Sequence, residues 1–256
     1  MSMKDFSFQG KIYLGENVNG KPRNLKWVGD QSSLNLAVEA SFEERKENYS
    51  GDRATSVKLK QSSAVKPELT LRYMTPENIV LGVHGKINKV IAGTVTAEAF
   101  PADVVVGENI LLAKGSVSNL VLTDSKASTP TTLIVGQHYN LTSAFSGMVE
   151  MKDVSSLTQP IKAAYSHGGM TSVSMLNAPP PIRYLYMEAI NTVDSRRARV
   201  HLYKVQMDPL SSLPLTSESL ADFAINGSTL IDPVNQLDDT LGGYGKIEWL
   251  DDPITP

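Results

Sequence analysis

Gly15-Glu16-Asn17-Val18-Asn19-Gly20-Lys21 has the glycine and lysine spacing of a loop that cradles phosphate. That chemistry needs a Ser or Thr hydroxyl for magnesium directly after the lysine, and a helix whose N-terminus faces the anion. Pro22 stands in the hydroxyl position and Arg23 to Trp27 open no helix, so the stretch reads as a glycine-bearing hairpin turn. His167-Gly168-Gly169 matches the oxyanion-loop pattern of some esterases, but the chain has no Gly-x-Ser-x-Gly elbow to carry a nucleophile, and a flexible turn remains. His84, His138, His167 and His201 are dispersed without the i, i+4 partner of a helical metal site. Asp238-Asp239 lacks the alternating acids and closing glutamate of a calcium loop. The acceptor patterns at Asn48, Asn140 and Asn226 carry meaning only on a secreted chain, and Met1-Ser2-Met3-Lys4-Asp5 is no secretory signal. Side-chain chemistry therefore predicts no enzyme, no cofactor and no metal; what the residues do specify is backbone geometry.

Leu34, Leu36, Val38, Ala40 and Phe42 alternate with Ser33, Asn35, Ala37, Glu39 and Ser41. Val65, Leu69, Leu71 and Tyr73 alternate with Lys66, Glu68, Thr70 and Arg72. Side chains flip faces at every strand residue, so both runs predict long strands with one apolar and one polar face. Between them Glu43 to Ser62 is crowded with charge and predicts a long inter-strand loop, of a size that is usually disordered or has a job. Thr75 to Gly85 predicts a short helix: Thr75 caps, Pro76 takes the first position, Glu77 meets the positive end, and Ile79, Val80 and Val83 form the buried stripe. Further strands are predicted at 11–14, 89–97, 109–113, 117–123, 132–135, 138–141 and 147–151, with a hairpin of 182–190 and 198–205 turning at Asn191 to Ser195. Pro179-Pro180-Pro181 is a stiff extended break ahead of that hairpin. Residues 1–256 read as a single β domain, and about 101–181 as an inserted or elaborated lobe within it, or as further strands with small side chains.

Of 256 residues, 41 % are hydrophobic, enough for a sizeable core. With 24 basic against 27 acidic residues the net charge is −3, which gives no basic surplus for wrapping nucleic acid. No run approaches the roughly 18 apolar residues of a membrane helix, so no membrane partner is predicted. Cysteine is absent, which excludes disulfides and thiolate chemistry. Trp27 and Trp249 are expected to fill core or interface gaps, and the acid-rich 231–256 is expected to be a solvated tail.

The order of elements from Ser33 to Gly85 resembles the major tail tube protein of long, non-contractile phage tails. The resemblance rests on the alternating strand, the segment Glu43-Glu44-Arg45-Lys46-Glu47-Asn48-Tyr49-Ser50-Gly51-Asp52-Arg53, and the run from Lys66 through Pro76-Glu77 to Gly85. It is reinforced by Ala221 to Pro233 and by Gly242-Gly243-Tyr244-Gly245-Lys246-Ile247-Glu248-Trp249-Leu250, while 101–181 matches nothing. The resemblance implies a mainly β fold, a β-sandwich or partly closed barrel with one flanking helix. It further implies homo-hexameric rings that stack into a virion tail tube, made and assembled in the host cytoplasm. The implied partners are other copies of the chain, a tape-measure protein, a tail terminator and tail-tip or baseplate proteins. Double-stranded DNA would transit the lumen without specific binding.

On that reading the long loop reaches into the next ring, with Glu43, Glu44, Arg45, Lys46, Glu47, Tyr49, Asp52 and Arg53 as contacts whose nearly balanced charges suit a copy of the same loop. Asn35, Glu39, Ser41, Glu68 and Thr70 lie on the polar strand faces and are the candidates for a lumen lining. Contractile-tail and secretion-machine tubes are sister readings. A β-sandwich recognition module for a receptor or carbohydrate is the alternative, although 7 % aromatic residues is little for such a site; a hydrolase on a β scaffold is third.

Overall fold

The computed structural model describes residues 5–251 and is mainly β, with several open sheets and a single α-helix among the described residues. In chain order the first elements are β1 (Phe8–Val18), β2 (Lys21–Trp27), β3 (Gln31–Lys46), β4 (Thr55–Leu71), α1 (Pro76–Val83) and β5 (Ile87–Val90). Short strands follow: β6 (Gly93–Ala99), β7 (Asn109–Leu111), β8 (Ser118–Thr123), β9 (Tyr139–Ser143), β10 (Met148–Met151), β11 (Lys162–His167) and β12 (Met170–Val173). The chain ends with β13 (Ile182–Asn191), β14 (Arg197–Met207), β15 (Phe223–Thr229) and β16 (Gly245–Leu250).

Two compact units divide the chain. One comprises the residues up to Ile87 and from Val173 onward, the other Asn88–Ser172. The lobe thus begins near 88 rather than 101 and ends at 172, before the Pro179–Pro181 break.

In the first unit the strand order is β2-β1-β13-β14-β15-β4-β3, and β16 also pairs with β14. Asn19 and Gly20, both at positive φ, form the two-residue turn between β1 and β2, where Val18 opposes Lys21. That geometry matches the strand twist and explains the phosphate-loop-like spacing by hairpin chemistry. β15 turns a corner: Phe223 to Asn226 pair with β4, whereas Gly227 to Thr229 pair with β14. At Gly227 a Cβ would lie 2.7 Å from the Gln206 carbonyl oxygen, so only glycine lets the two backbones approach this closely. Among the described residues the sheet path ends at strands with one neighbour each, and none of the sheets closes.

The core of this unit gathers Ile12, Leu69, Leu71, Leu185, Val205 and Ile225 from five strands. Ile79 and Leu81 of α1 join it, with Val83 packed at its margin, whereas Val80 is only half buried. Thr75 Oγ1 accepts the Asn78 N–H at 3.2 Å, as the sequence predicts for a cap. The helix stops two residues earlier than expected, because His84 takes the left-handed position itself at φ 48°. The Asn78 amide donates to the carbonyls of Val28 and Tyr73, both at 2.8 Å, tying α1 to the residues that flank the β3–β4 hairpin.

The second unit holds two three-stranded sheets, β7-β10-β9 and β6-β11-β8, around Leu122, Val149, Met151, Ile161 and Tyr165. The predicted strand 89–97 is broken between β5 and β6, and 132–135 forms only isolated bridges from Thr132 and Val135. The buried Asp124 carboxylate accepts N–H groups from Lys126, Thr131 and Thr158, which hold it below its ordinary pKa and order the loop between β8 and β9.

Candidate assembly surface

The stretch Glu43 to Ser62 is not a loop. β3 and β4 run to 16 and 17 residues, paired from Gln31 opposite Leu71 out to Lys46 opposite Thr55, and only 47–54 form the turn. Charged residues conceal the strands because an arm with water on both faces needs no apolar alternation. At the root, β15 pairs with β4 only at 68–71. Beyond Pro67 no strand pairs with the outer edge of β4, although the Tyr244 hydroxyl donates to the Ser63 carbonyl at 3.0 Å, and β3 has no second neighbour among the described residues. The distal part, 41–46 with 55–62, is therefore an exposed two-stranded ribbon with no strand on either edge.

One face continues the core outward. Leu34 and Leu36 pack on it opposite Leu69 and Pro67, then Val38 opposite Val65 is 78 % exposed and Phe42 opposite Lys60 is 46 % exposed. A bulge at Gln61 shifts the register between Ser41 and Phe42 and strengthens the local twist. The Lys58 ammonium lies 4.7 Å from the Phe42 ring centroid and 2.9 Å from Glu44. The opposite face carries every predicted lumen candidate. Asn35 opposes Glu68 and Ser33 opposes Thr70, with the two hydroxyls 3.2 Å apart. Glu39 pairs with Lys66 at 2.7 Å, and the Ser41 and Ser62 hydroxyls are 2.5 Å apart. Farther out the same face holds Glu43 opposite Leu59 and Arg45 opposite Val57.

Of the predicted contacts, Glu44, Lys46, Asp52 and Arg53 are exposed, along with Glu43 and Arg45, and Tyr49 is 89 % exposed at the tip. Glu47 differs: it is buried, and its carboxylate accepts the N–H groups of Tyr49 and Ser50, each at 2.9 Å, and the Ser50 hydroxyl. The Ser50 hydroxyl and those two amides lower its pKa from 4.5 to about 2. Glu47 therefore builds the tip and does not offer its charge to a neighbour. A depressed carboxylate stabilises fully above its ordinary pKa and loses that contribution as pH falls toward the folded value. The Tyr49 and Ser50 amide resonances are expected to titrate with a midpoint at about 2, not at 4.5, and to lose this step in Glu47→Gln; a midpoint at 4.5 would show that the carboxylate does not hold the turn.

His201 of β14 lies 2.8 Å from the Tyr184 hydroxyl and 3.3 Å from Glu248 of β16, which also meets Arg199 at 2.7 Å and Lys246. Burial holds the His201 imidazole below its ordinary pKa, against the pull of Glu248. Asp232 is buried too, accepting from Asn17 Nδ2 and from the N–H groups of Val234 and Asn235. The acid-rich C-terminal stretch is thus partly structural and not a wholly solvated tail, and its residues from Asp252 onward lie outside the described ones. Trp27 and Trp249 are not core residues; they are 49 % and 62 % exposed. Sequence reasoning named no strand at β2, β11, β12, β15 or β16; in β2 and β16 charge interrupts the alternation, and each has a single strand partner among the described residues. Among the described residues no three or more His, Asp or Glu side chains are placed to hold a metal ion, and no helix is long and apolar enough to cross a membrane.

No curated protein matches this chain. A family model described as protein of unknown function UCP028589 matches residues 5–248, a span that takes in the arm, both compact units and β16 up to Glu248, and the chain belongs to that family.

Proposed function

We propose that this chain is a structural subunit that polymerises with itself, the tail tube protein of a long, non-contractile phage tail. The observation that carries the reading is the uncovered arm of β3 and β4. An isolated two-stranded ribbon is marginal in water, because it has too little apolar contact to offset the entropy of ordering it. Open edges and an exposed Val38–Phe42 stripe are hazards on a monomer, and both are removed when another copy covers them. A head-to-tail contact whose rotation closes makes a ring, and a second contact along the axis stacks the rings. The hexameric state, the β-sandwich-like subunit and the virion location rest on the resemblance of Ser33 to Gly85 and of the C-terminal segments to tail tube proteins.

The polar arm face suits a conduit. Each phosphate neutralised by a fixed cation adds affinity through counterion release, so a basic lumen would trap DNA. Glu39, Glu43 and Glu68 stand here against Lys66 and Arg45, and Lys66 is already paired with Glu39. DNA passing over such a face meets no surplus of positive charge.

Light scattering and negative-stain electron microscopy of the purified chain over rising concentration test the assignment. Rings or tubes are the expected result. Compact monomers at every concentration would overturn it.

A further inference from the structure

A groove of about 810 Å³ lies in the first unit, beside the place where the arm is rooted. Leu14, Leu25 and Trp27 of β1 and β2 line it together with Tyr73 and Val80. Trp27 and Tyr73 meet edge to face with centroids 6.0 Å apart, the Lys11 ammonium lies 5.7 Å from the Trp27 ring centroid, and both rings remain about half exposed. Glu16, Glu77, Lys26 and Arg183 add two charges of each sign. The volume falls in the upper part of the range that accommodates a compact ligand, roughly 300–1,000 Å³, and exceeds what one side chain fills.

We infer that the groove receives the arm tip, Tyr49 to Arg53, of a second copy of the chain. The tip offers what the groove lacks: an aromatic ring that is 89 % exposed and held forward on an ordered turn, followed by Asp52 and Arg53. Tyr49 completes the cluster with Trp27 and Tyr73, a pairing of the kind that dominates interface energy. Asp52 and Arg53 find opposite charges among the four groups of the groove, so docking strands no single sign. A turn of several residues also matches the volume better than a lone side chain does.

The topology requires the tip to come from another copy. The groove touches Val28, Gly29 and Tyr73, and the arm starts at Gln31 and returns at Leu71. Fifteen steps along β3 at about 3.3 Å each put the tip about 50 Å away from its own groove. The tip therefore cannot fold back while the ribbon stays paired. Each copy offers a tip at one end of the arm and a groove at the other, which makes a contact that propagates without closing, with a repeat no longer than the arm. This rests on the self-assembly reading and specifies the partner surface of its axial contact.

The chain has no cysteine, so engineered thiols report the contact without background. Asn48→Cys, next to the tip and exposed, and Leu25→Cys, mixed under assembling conditions and oxidised, are expected to give a disulfide-linked heterodimer. Its yield should exceed by about tenfold or more that of Asn48→Cys mixed with Phe145→Cys, since docking raises the effective thiol concentration from micromolar toward millimolar; Phe145 is an exposed residue of the second unit. Assemblies that form without the excess would overturn the groove assignment and leave self-assembly standing. Failure of all variants and of the parent chain to assemble would overturn both.

Discussion

Replacing Asn48 to Arg53 by Asn-Gly should give a folded chain whose polymerisation is lost or displaced to much higher concentration. The closing pair is already in place, because the Glu47 N–H donates to the Ala54 carbonyl at 2.8 Å, and a two-residue Asn-Gly turn suits strands of this twist. The replacement removes Tyr49, Asp52 and Arg53, all exposed, together with the amides that bind Glu47. Nothing in the hydrophobic core touches this segment. Loss of a central aromatic contact typically costs at least about 2 kcal/mol, so the critical concentration should rise roughly thirtyfold or more. Sedimentation across a concentration series measures this, with circular dichroism as the control for folding. Tubes forming at the parent concentration would show that the tip makes no axial contact.

The arm also shows what the sequence can and cannot convey. Leu34 to Phe42 and Val65 to Leu71 are legible as strands because one face meets the core at Leu69, Leu71 and Ile225 and the other meets water. From Glu43 outward that contrast ends. Glu43, Glu44, Arg45 and Lys46 continue β3 with charge on both faces, and period-two reading has nothing left to detect. The helix is legible from Thr75-Pro76-Glu77, since capping is a local interaction. Its C-terminal stop is not, since His84 adopts a conformation that composition assigns to Gly85. The lumen candidates fall on one face because alternation fixes parity along a strand. Glu47 is misread as a surface contact for a different reason: its burial depends on a turn whose length the sequence does not reveal. The groove was invisible, because it joins β2, α1 and Arg183 across sequence separations that no local pattern spans.

On the proposed tube reading the arm has to stay rigid where it leaves the body, and the row Leu34–Leu69–Ile225 across β3, β4 and β15 is where it meets the core. Leu69 is 2 % exposed in this row. Leu69→Ala removes buried methyl groups and leaves a cavity, a change that costs about 2–5 kcal/mol at well-packed sites. Both tryptophans, Trp27 and Trp249, belong to the first unit, so tryptophan fluorescence follows that unit alone. Its urea midpoint should fall by about 1–2 M, given slopes of about 1–3 kcal/mol per molar urea. The second unit has its own core in Leu122, Val149, Met151 and Ile161, and circular dichroism should retain a transition at the parent midpoint. Unlike the tip replacement, this variant should lose assembly together with the order of the arm, because the root row is where the ribbon joins the core. An unchanged fluorescence midpoint would mean that the root row does not hold the arm to the body, and the rigid spacing between tip and groove would lose its physical basis.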